Sequence, residues 1–223
     1  DLETGRTVAL KALHEDRPSG VVLERFLRES RLAAGLDHPS IVRIYETGWW
    51  DNRAFFTMEY LEGETLSARI ARGPLPLAEA APLAAAVARA LEYAHRRGVV
   101  HRDIKPSNIV LTARGPVITD FGLAYSPLTV NRLTQSGELV GTPVYMAPEV
   151  IRGGARAADA RSDQYALGTV LYEMLSGHPP FEASNFLEFS NRVLHEEPPA
   201  PPALAPIVQR CLRKDPAARF PSA

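Results

Sequence analysis

The sequence predicts an α+β chain of two lobes, a small one built on an antiparallel sheet with one helix and a larger, mainly helical one. Three observations predict it. The first sixty residues carry β-branched and aromatic runs of strand length. An alanine-rich stretch from Leu77 to Arg97 has the spacing of a long helix. A strongly apolar helical signal then fills Arg161 to Ser176. The expected organisation is a small lobe over residues 1–58, a short hinge over 59–65 and a large lobe over 66–223, all in one domain.

In chain order, Thr7 to Leu13 reads as a strand. Leu23 to Leu36 reads as an amphipathic helix, with Leu23, Phe26, Leu27, Ala33 and Ala34 on its apolar face. Ile41 to Thr47 and Ala54 to Tyr60 flank a turn at Asp51-Asn52 and read as a hairpin, with Trp49 and Trp50 as packing residues beside the turn. The alanine-rich helix should end at Gly98 and be mostly buried. Short strands are expected at Val99-Val100, Ile109 to Leu111 and Val117 to Thr119. Ser126 to Val140 is polar and without period, a long loop of the kind that usually carries function. The Pro-rich segment from Glu196 to Pro206 links the apolar helix to a last helix near Ile207 to Arg213.

Composition excludes several classes. With 223 residues, 45% hydrophobic and 23% charged, the chain has the material for a real core and is not disordered as a whole. Lys plus Arg is 25 against Asp plus Glu at 26, so no basic excess points to nucleic acid. The run from Ala80 to Ala88 falls well short of the ~18 apolar residues that suggest a membrane span. Cys211 has no internal partner and reads as a buried thiol in a reducing compartment, so a cytoplasmic location is expected of this segment, with a membrane anchor elsewhere in a longer polypeptide left open. The first residue is Asp1, without a basic-then-apolar leader, which gives the expectation of an excerpt from a longer polypeptide.

The most informative string is His101-Arg102-Asp103-Ile104-Lys105-Pro106-Ser107-Asn108, followed by Asp120-Phe121-Gly122. Each part alone is weak, since an Asp-Phe-Gly triplet can be a turn ended by glycine. The eight-residue string and the triplet in this order are far more specific. Upstream lies Val8-Ala9-Leu10-Lys11, whose lysine alone would be a solvated edge charge. Downstream lies Gly141-Thr142-Pro143-Val144-Tyr145-Met146-Ala147-Pro148-Glu149. Ser162-Asp163 opens the apolar helix and could be a plain N-cap. His14, His38, His95, His178 and His195 show no metal-ligand spacing, and ordinary surface or core roles are their default.

These strings, in this order, resemble the Hanks-type protein kinase family from Val8 to Phe220, and Lys105 with Thr142 resembles its serine/threonine branch. Ser162-Asp163-Gln164-Tyr165-Ala166-Leu167-Gly168 and Pro179-Pro180-Phe181 resemble bacterial members. The resemblance implies the bilobal protein-kinase fold, ATP and Mg²⁺ as cofactors, and protein serine and threonine as substrates, with self-phosphorylation in trans as one outcome. It implies Asp103 as the base with Lys105 beside it, Asn108 and Asp120 as metal ligands, and Lys11 on the phosphates, fixed by Glu29 in preference to Glu24. Adenine is expected against Ala9 and Val110 and the backbone of Glu59 and Leu61, with Met58 as gatekeeper. Glu149 is expected to pair with Arg219, and Asp163 to anchor the catalytic loop. Arg102 is expected to receive a phosphate from the long loop, carried by Thr134 first and Ser136 second, with Thr129 and the docking residue Thr142 also present.

The physical logic of the implied site holds together. Phosphoryl transfer needs a hard cation on oxygen ligands, which Asn108 and Asp120 supply, and a proton acceptor for the attacking hydroxyl, which Asp103 supplies. The family's glycine-rich phosphate-covering loop should precede Lys11 by about twenty residues. The sequence has ten residues there and the single glycine Gly5, so weak ATP binding is expected of a chain without that loop. Two rival functions differ in class. A catalytically dead scaffold is opposed by intact Lys11, Asp103, Asn108 and Asp120, and a small-molecule phosphotransferase should lack the segment from Gly141 to Glu149.

Overall fold

A computed structural model describes residues 1, 5–12, 30, 32–50, 53–121 and 143–223. Three strands, β1 (Val8–Ala12), β2 (Ile44–Trp50) and β3 (Arg53–Glu59), form an antiparallel sheet in the order β1-β3-β2. Period-2 alternation assigns its faces. Ala54 and Phe56 of β3 are fully buried, and Ala9 and Lys11 of β1 stand opposite Met58 and Phe56 on that same face. The first hairpin strand, β2, runs to Trp50, past the expected end at Thr47. Trp49 and Trp50 are 52% and 71% exposed, so they are not packing residues. They occupy the far end of the hairpin, opposite Ala54 and Arg53, where the described chain puts little over them.

A second antiparallel sheet, β4-β5-β6, contains β4 (Gly63–Thr65), β5 (Ile109–Thr112) and β6 (Gly115–Ile118). The segment before β2 is stitched to β6 by a parallel bridge from Ile41 to Ile118, with Val42 N–H donating to the Ile118 carbonyl at 2.9 Å.

The helices are α1 (Leu66–Ile70), α2 (Leu77–His95), α3 (Pro148–Gly153), α4 (Ala160–Ser176), α5 (Phe186–His195) and α6 (Ala205–Cys211). Ser30 and residues 32–34 are also helical. In α2, Ala80, Ala84, Val87, Leu91 and Ala94 make one buried stripe, packed against α4. Gly98 ends this segment at φ +73°, and Val99 N–H returns to the Ala94 carbonyl at 3.0 Å, a Schellman-type closure. Val99-Val100 is therefore no strand: its first amide closes the helix instead of joining a ladder.

Helix α4 is buried along nearly all of Ser162 to Leu175 and forms the axis of the large lobe. Its N-cap is Asp159, not Ser162 or Asp163. The Asp159 carboxylate accepts from Arg161 N–H at 2.8 Å and Ser162 N–H at 3.2 Å, while Ser162 Oγ accepts from Asp159 N–H at 3.2 Å. Asp163 is one residue further in and free for another task. Gly168 lets α6 approach, because a Cβ there would lie 2.5 Å from Cys211 Cβ. Cys211 is buried and its thiol is pushed up to about 11 by burial, as expected of an inert core cysteine. Among the described residues no helix is long and apolar enough to cross a membrane.

Candidate active site

The site is assembled where the loop after α2 meets the ends of β5 and β6. The loop cannot be regular, because Arg102 has φ +68°, a left-handed backbone that costs a non-glycine residue about 1–2 kcal/mol. Asp163 holds it in that shape. Its carboxylate, 1% exposed, accepts from His101 N–H at 2.8 Å through Oδ2 and from Arg102 N–H at 2.7 Å through Oδ1. His95 Nε2 lies 2.8 Å from the same Oδ2.

The His101 ring is fully buried and joins two segments. Its Nε2 lies 2.8 Å from the Thr119 carbonyl, and its Nδ1 accepts from Asp103 N–H at 3.2 Å. A carbonyl can only accept, so Nε2 carries the proton and Nδ1 is the bare nitrogen. Burial holds this histidine below its ordinary value of 6.5, outweighing the upward pull of Asp163, the Thr119 carbonyl, Asp103 and Asp120. The folded state then binds fewer protons than the unfolded chain below pH 6.5, so stability falls as pH drops from there toward the lower folded value. Thermal melts from pH 7 down to 5 should show a steeper decline for the parent than for His101→Phe, which has nothing to protonate. Equal slopes would refute the assignment.

Asp103, Lys105 and Asn108 converge. Lys105 Nζ is 2.7 Å and Asn108 Nδ2 3.0 Å from Asp103 Oδ2, and Asn108 Nδ2 also donates to the Asp103 carbonyl at 2.8 Å. Lys105 and Asn108 thus meet the same carboxylate oxygen of Asp103. Pro106 to Asn108 is a 3₁₀ turn that sets this geometry before β5 begins. Thr119 N–H donates to the Asn108 carbonyl at 2.9 Å, which fixes Asp120 next to the loop. Asp120 is itself left-handed, at φ +63°, and its Oδ1 is 2.5 Å from Lys11 Nζ.

Glu29, the expected partner of Lys11, lies outside the described residues, as do Glu24, Gly122, Thr129, Thr134, Ser136, Gly141 and Thr142. Within the described residues the carboxylate on Lys11 is Asp120. Ala9 faces Met58 across the β1/β3 ladder, and Val110 sits on β5 opposite Val117. Glu59 N–H donates to the Arg43 carbonyl at 2.8 Å and its carboxylate accepts from Arg114 at 2.7 Å; Leu61 follows in the connection to β4.

Glu149 and Arg219 form a two-pronged pair, with NH1 on Oε1 and NH2 on Oε2 at 2.8 Å each. Burial pushes the Glu149 carboxyl up, but the Arg219 bonds outweigh it and hold the group below its ordinary value. Besides Asp120 on Lys11, two contacts went unanticipated, His95 on Asp163 and Tyr145 Oη donating to Glu173 Oε2 at 2.6 Å. Neither has a spacing signal, since each joins residues far apart in the chain.

The residues present fit a hard cation with a nucleotide. Because Asn108 turns its nitrogen to Asp103, its amide oxygen is the end that would be available to a metal. Asp120 adds a carboxylate, and Mg²⁺ characteristically takes one or two such groups plus waters and phosphate oxygens. No group of three or more His, Cys, Asp or Glu side chains suited to a metal occurs among the described residues.

The fold and these motifs define a protein kinase catalytic domain. The family described as "Protein kinase domain" matches residues 1–223, and the chain belongs to that family. It is 38% identical over 240 residues to the serine/threonine-protein kinase PknB of Mycobacterium leprae, covering 100% of this chain and 38% of that protein. To the serine/threonine-protein kinase PrkC of Bacillus subtilis it is 37% identical over 234 residues, covering 100% of this chain and 36% of that protein. Among solved structures, a double mutant of the Mycobacterium tuberculosis PknI kinase domain superposes with a TM-score of 0.74 at 31% identity, covering 98% of this chain and 82% of that one. The chain thus spans well under half the length of the two full-length relatives.

Proposed function

We propose that this chain transfers the γ-phosphate of ATP to serine and threonine hydroxyls of protein substrates. The observation that carries the reading is the convergence of Lys105 and Asn108 on one oxygen of Asp103, with Asp120 fixed beside them by the Thr119–Asn108 bond. Asp103 Oδ1 takes the proton of the attacking hydroxyl. Lys105, beside Asp103, contributes fixed positive charge where the phosphoryl group passes. Asn108 and Asp120 hold Mg²⁺, which when bound neutralises phosphate charge. Lys11 holds the α and β phosphates, and Ala9, Val110 and the backbone of Glu59 and Leu61 enclose the base. The relatives' names support serine and threonine as acceptors and proteins as substrates; to these the proposal adds the kinase's own loop, phosphorylated in trans.

The test is transfer of labelled γ-phosphate from ATP, with and without Mg²⁺, to a generic protein acceptor, followed by identification of the labelled amino acid. Metal-dependent phosphoserine and phosphothreonine are expected. Phosphotyrosine alone, or transfer only to small molecules, would overturn the reading.

Regulation by the long loop is part of the same proposal. Arg102 is a fixed positive charge beside the base, and a loop phosphate of charge near −2 forms charge-assisted bonds to such a group. Thr134 and Ser136 are the assigned acceptors. Mass spectrometry of active protein should find phosphate on one or both, and the double alanine variant should lose most of its activity toward substrates. A double variant as active as the parent would remove this mechanism and leave the kinase reading standing.

A further inference from the structure

We propose that Arg114 is a positioning residue for the nucleotide base, holding through the Glu59 carboxylate the backbone that tells adenine from guanine. The inference rests on the kinase reading above and deepens it, because Arg114 is itself no expected ligand of ATP or metal.

The connection from β3 to β4, expected as the hinge, is tied at both ends to one hairpin. At its far end Gly63 pairs with Thr112 of β5, so closely that a Cβ on Gly63 would lie 2.1 Å from the Leu111 carbonyl oxygen. At its near end the Glu59 carboxylate accepts from Arg114 at 2.7 Å, and Arg114 stands in the turn between β5 and β6. Tyr60, Leu61 and Glu62 lie between the two ties, so both residues whose backbone is expected on the base, Glu59 and Leu61, fall within the span they fix. Val110, the expected contact from the large lobe, is on β5 itself. One hairpin thereby sets both sides of the base site.

Arg114 is presented by a well-braced turn. Thr112 and Gly115 are ladder partners, which leaves only Ala113 and Arg114 between the strands. Thr112 Oγ1 donates to the Gly115 carbonyl at 2.9 Å and accepts from Arg114 N–H at 3.3 Å, while Gly115 takes φ +109°, a value suited to glycine. The hinge side is less well packed. Glu59 and Arg114 border a polar cavity of about 170 Å³, lined also by His38, Arg43 and Tyr45. With open space there, the ion pair rather than steric packing limits how far this end of the hinge shifts against the large lobe. The Glu59 N–H bond to the Arg43 carbonyl ties it only to the small lobe. The pair also stands at the end of the hairpin remote from Asn108 and Asp120, so it bears on the base and not on the reacting groups.

Steady-state kinetics with ATP and with GTP decide the matter. Arg114→Ala should raise KM for ATP about threefold and leave kcat within about twofold, an effect of the size a part-exposed pair supports, its side chains being 43% and 25% exposed. KM for GTP should change by less than about twofold, so the preference for ATP narrows, whereas a general loosening of the fold would move both nucleotides alike. The Glu59 amide should exchange with solvent about threefold faster. Arg114→Glu, which sets like charges together, should exceed the alanine variant in every one of these effects. Adding Glu59→Arg to it restores a pair with the charges exchanged and should recover most of the loss. An unchanged KM for ATP in Arg114→Ala, equal rises for ATP and GTP, or no recovery in the exchanged pair would overturn the proposal. A rise in kcat would overturn it too, since the pair would then restrain the enzyme instead of positioning the base. If the parent transfers no phosphate, the functional reading fails, while exchange at the Glu59 amide across the same variants still decides whether Arg114 holds the hinge.

Discussion

Replacing Asp103 by Asn should lower kcat by about 10²- to 10⁴-fold, the usual worth of a positioned proton acceptor. The substitution is nearly isosteric. Its amide oxygen can still accept from Lys105 or from Asn108, so the loop's shape and its metal ligand survive. What disappears is the charge and the oxygen that can take a proton, and neither is needed to bind ATP. KM for ATP should therefore stay within a few-fold of the parent, and the melting temperature should barely move, because the Asp103 side chain is part-exposed at 24%. Steady-state kinetics with both substrates varied make the check. Phosphorylation undiminished in the variant would remove Asp103 from the role of base.

The largest stability effect is expected from Arg219→Ala. The Arg219 side chain is 0% exposed, and beyond its two bonds to Glu149 it donates to the backbone carbonyls of Arg161 and Arg213 at 2.7 and 2.8 Å. Its guanidinium also lies over the Tyr165 ring, 5.0 Å from the centroid. Truncation leaves a half-buried carboxylate and two carbonyls without their donor. Breaking such a pair costs about 3–5 kcal/mol, or roughly 6–20 °C of melting temperature for a domain of this size. Arg219→Lys should recover only part of this, since an ammonium cannot reproduce the fork.

The pH dependence has a definite sign. Glu149 titrates below its ordinary value when folded, so the pair's contribution is present in full above pH 4.5 and is lost as pH falls through the lower folded value. The gap between parent and Arg219→Ala should close in that acid range. A shift under about 2 °C at neutral pH would mean that the pair does not hold the lobe together.

How much of this was legible in the sequence varies by the kind of signal. Helix α2 announced itself by an alanine stripe and a glycine stop, and the catalytic string by residue identity alone. Helix α5 was not read from the sequence, although Asn185 is a capping residue type and accepts from Glu188 N–H at 2.9 Å. Strand β4 and helix α1 were too short to carry a period. The cap of α4 was misread by three residues because Asp159 and Ser162 are both good capping types, and only geometry tells which carboxylate meets the free amides. In the site, types and order were legible while partners were not. Nothing in the spacing says that Asp163 receives His95, or that Asp120 meets Lys11 across 109 positions.

That last contact has a thermodynamic consequence. Lys11 and Asp120 satisfy one another at 2.5 Å, so a nucleotide and a cation that divide them between themselves carry out an ion exchange rather than fill two vacant seats. A phosphate that draws Lys11 away leaves Asp120 without its countercharge, and a metal ion that draws Asp120 away does the same to Lys11. Each guest alone must bear the cost of separating the pair, and the two together bear it once. By linkage the coupling is reciprocal. Under the proposed function, Lys11 and Asp120 would thereby make metal and nucleotide positive effectors of one another, with the ion pair as a lock that favours the two entering as a unit.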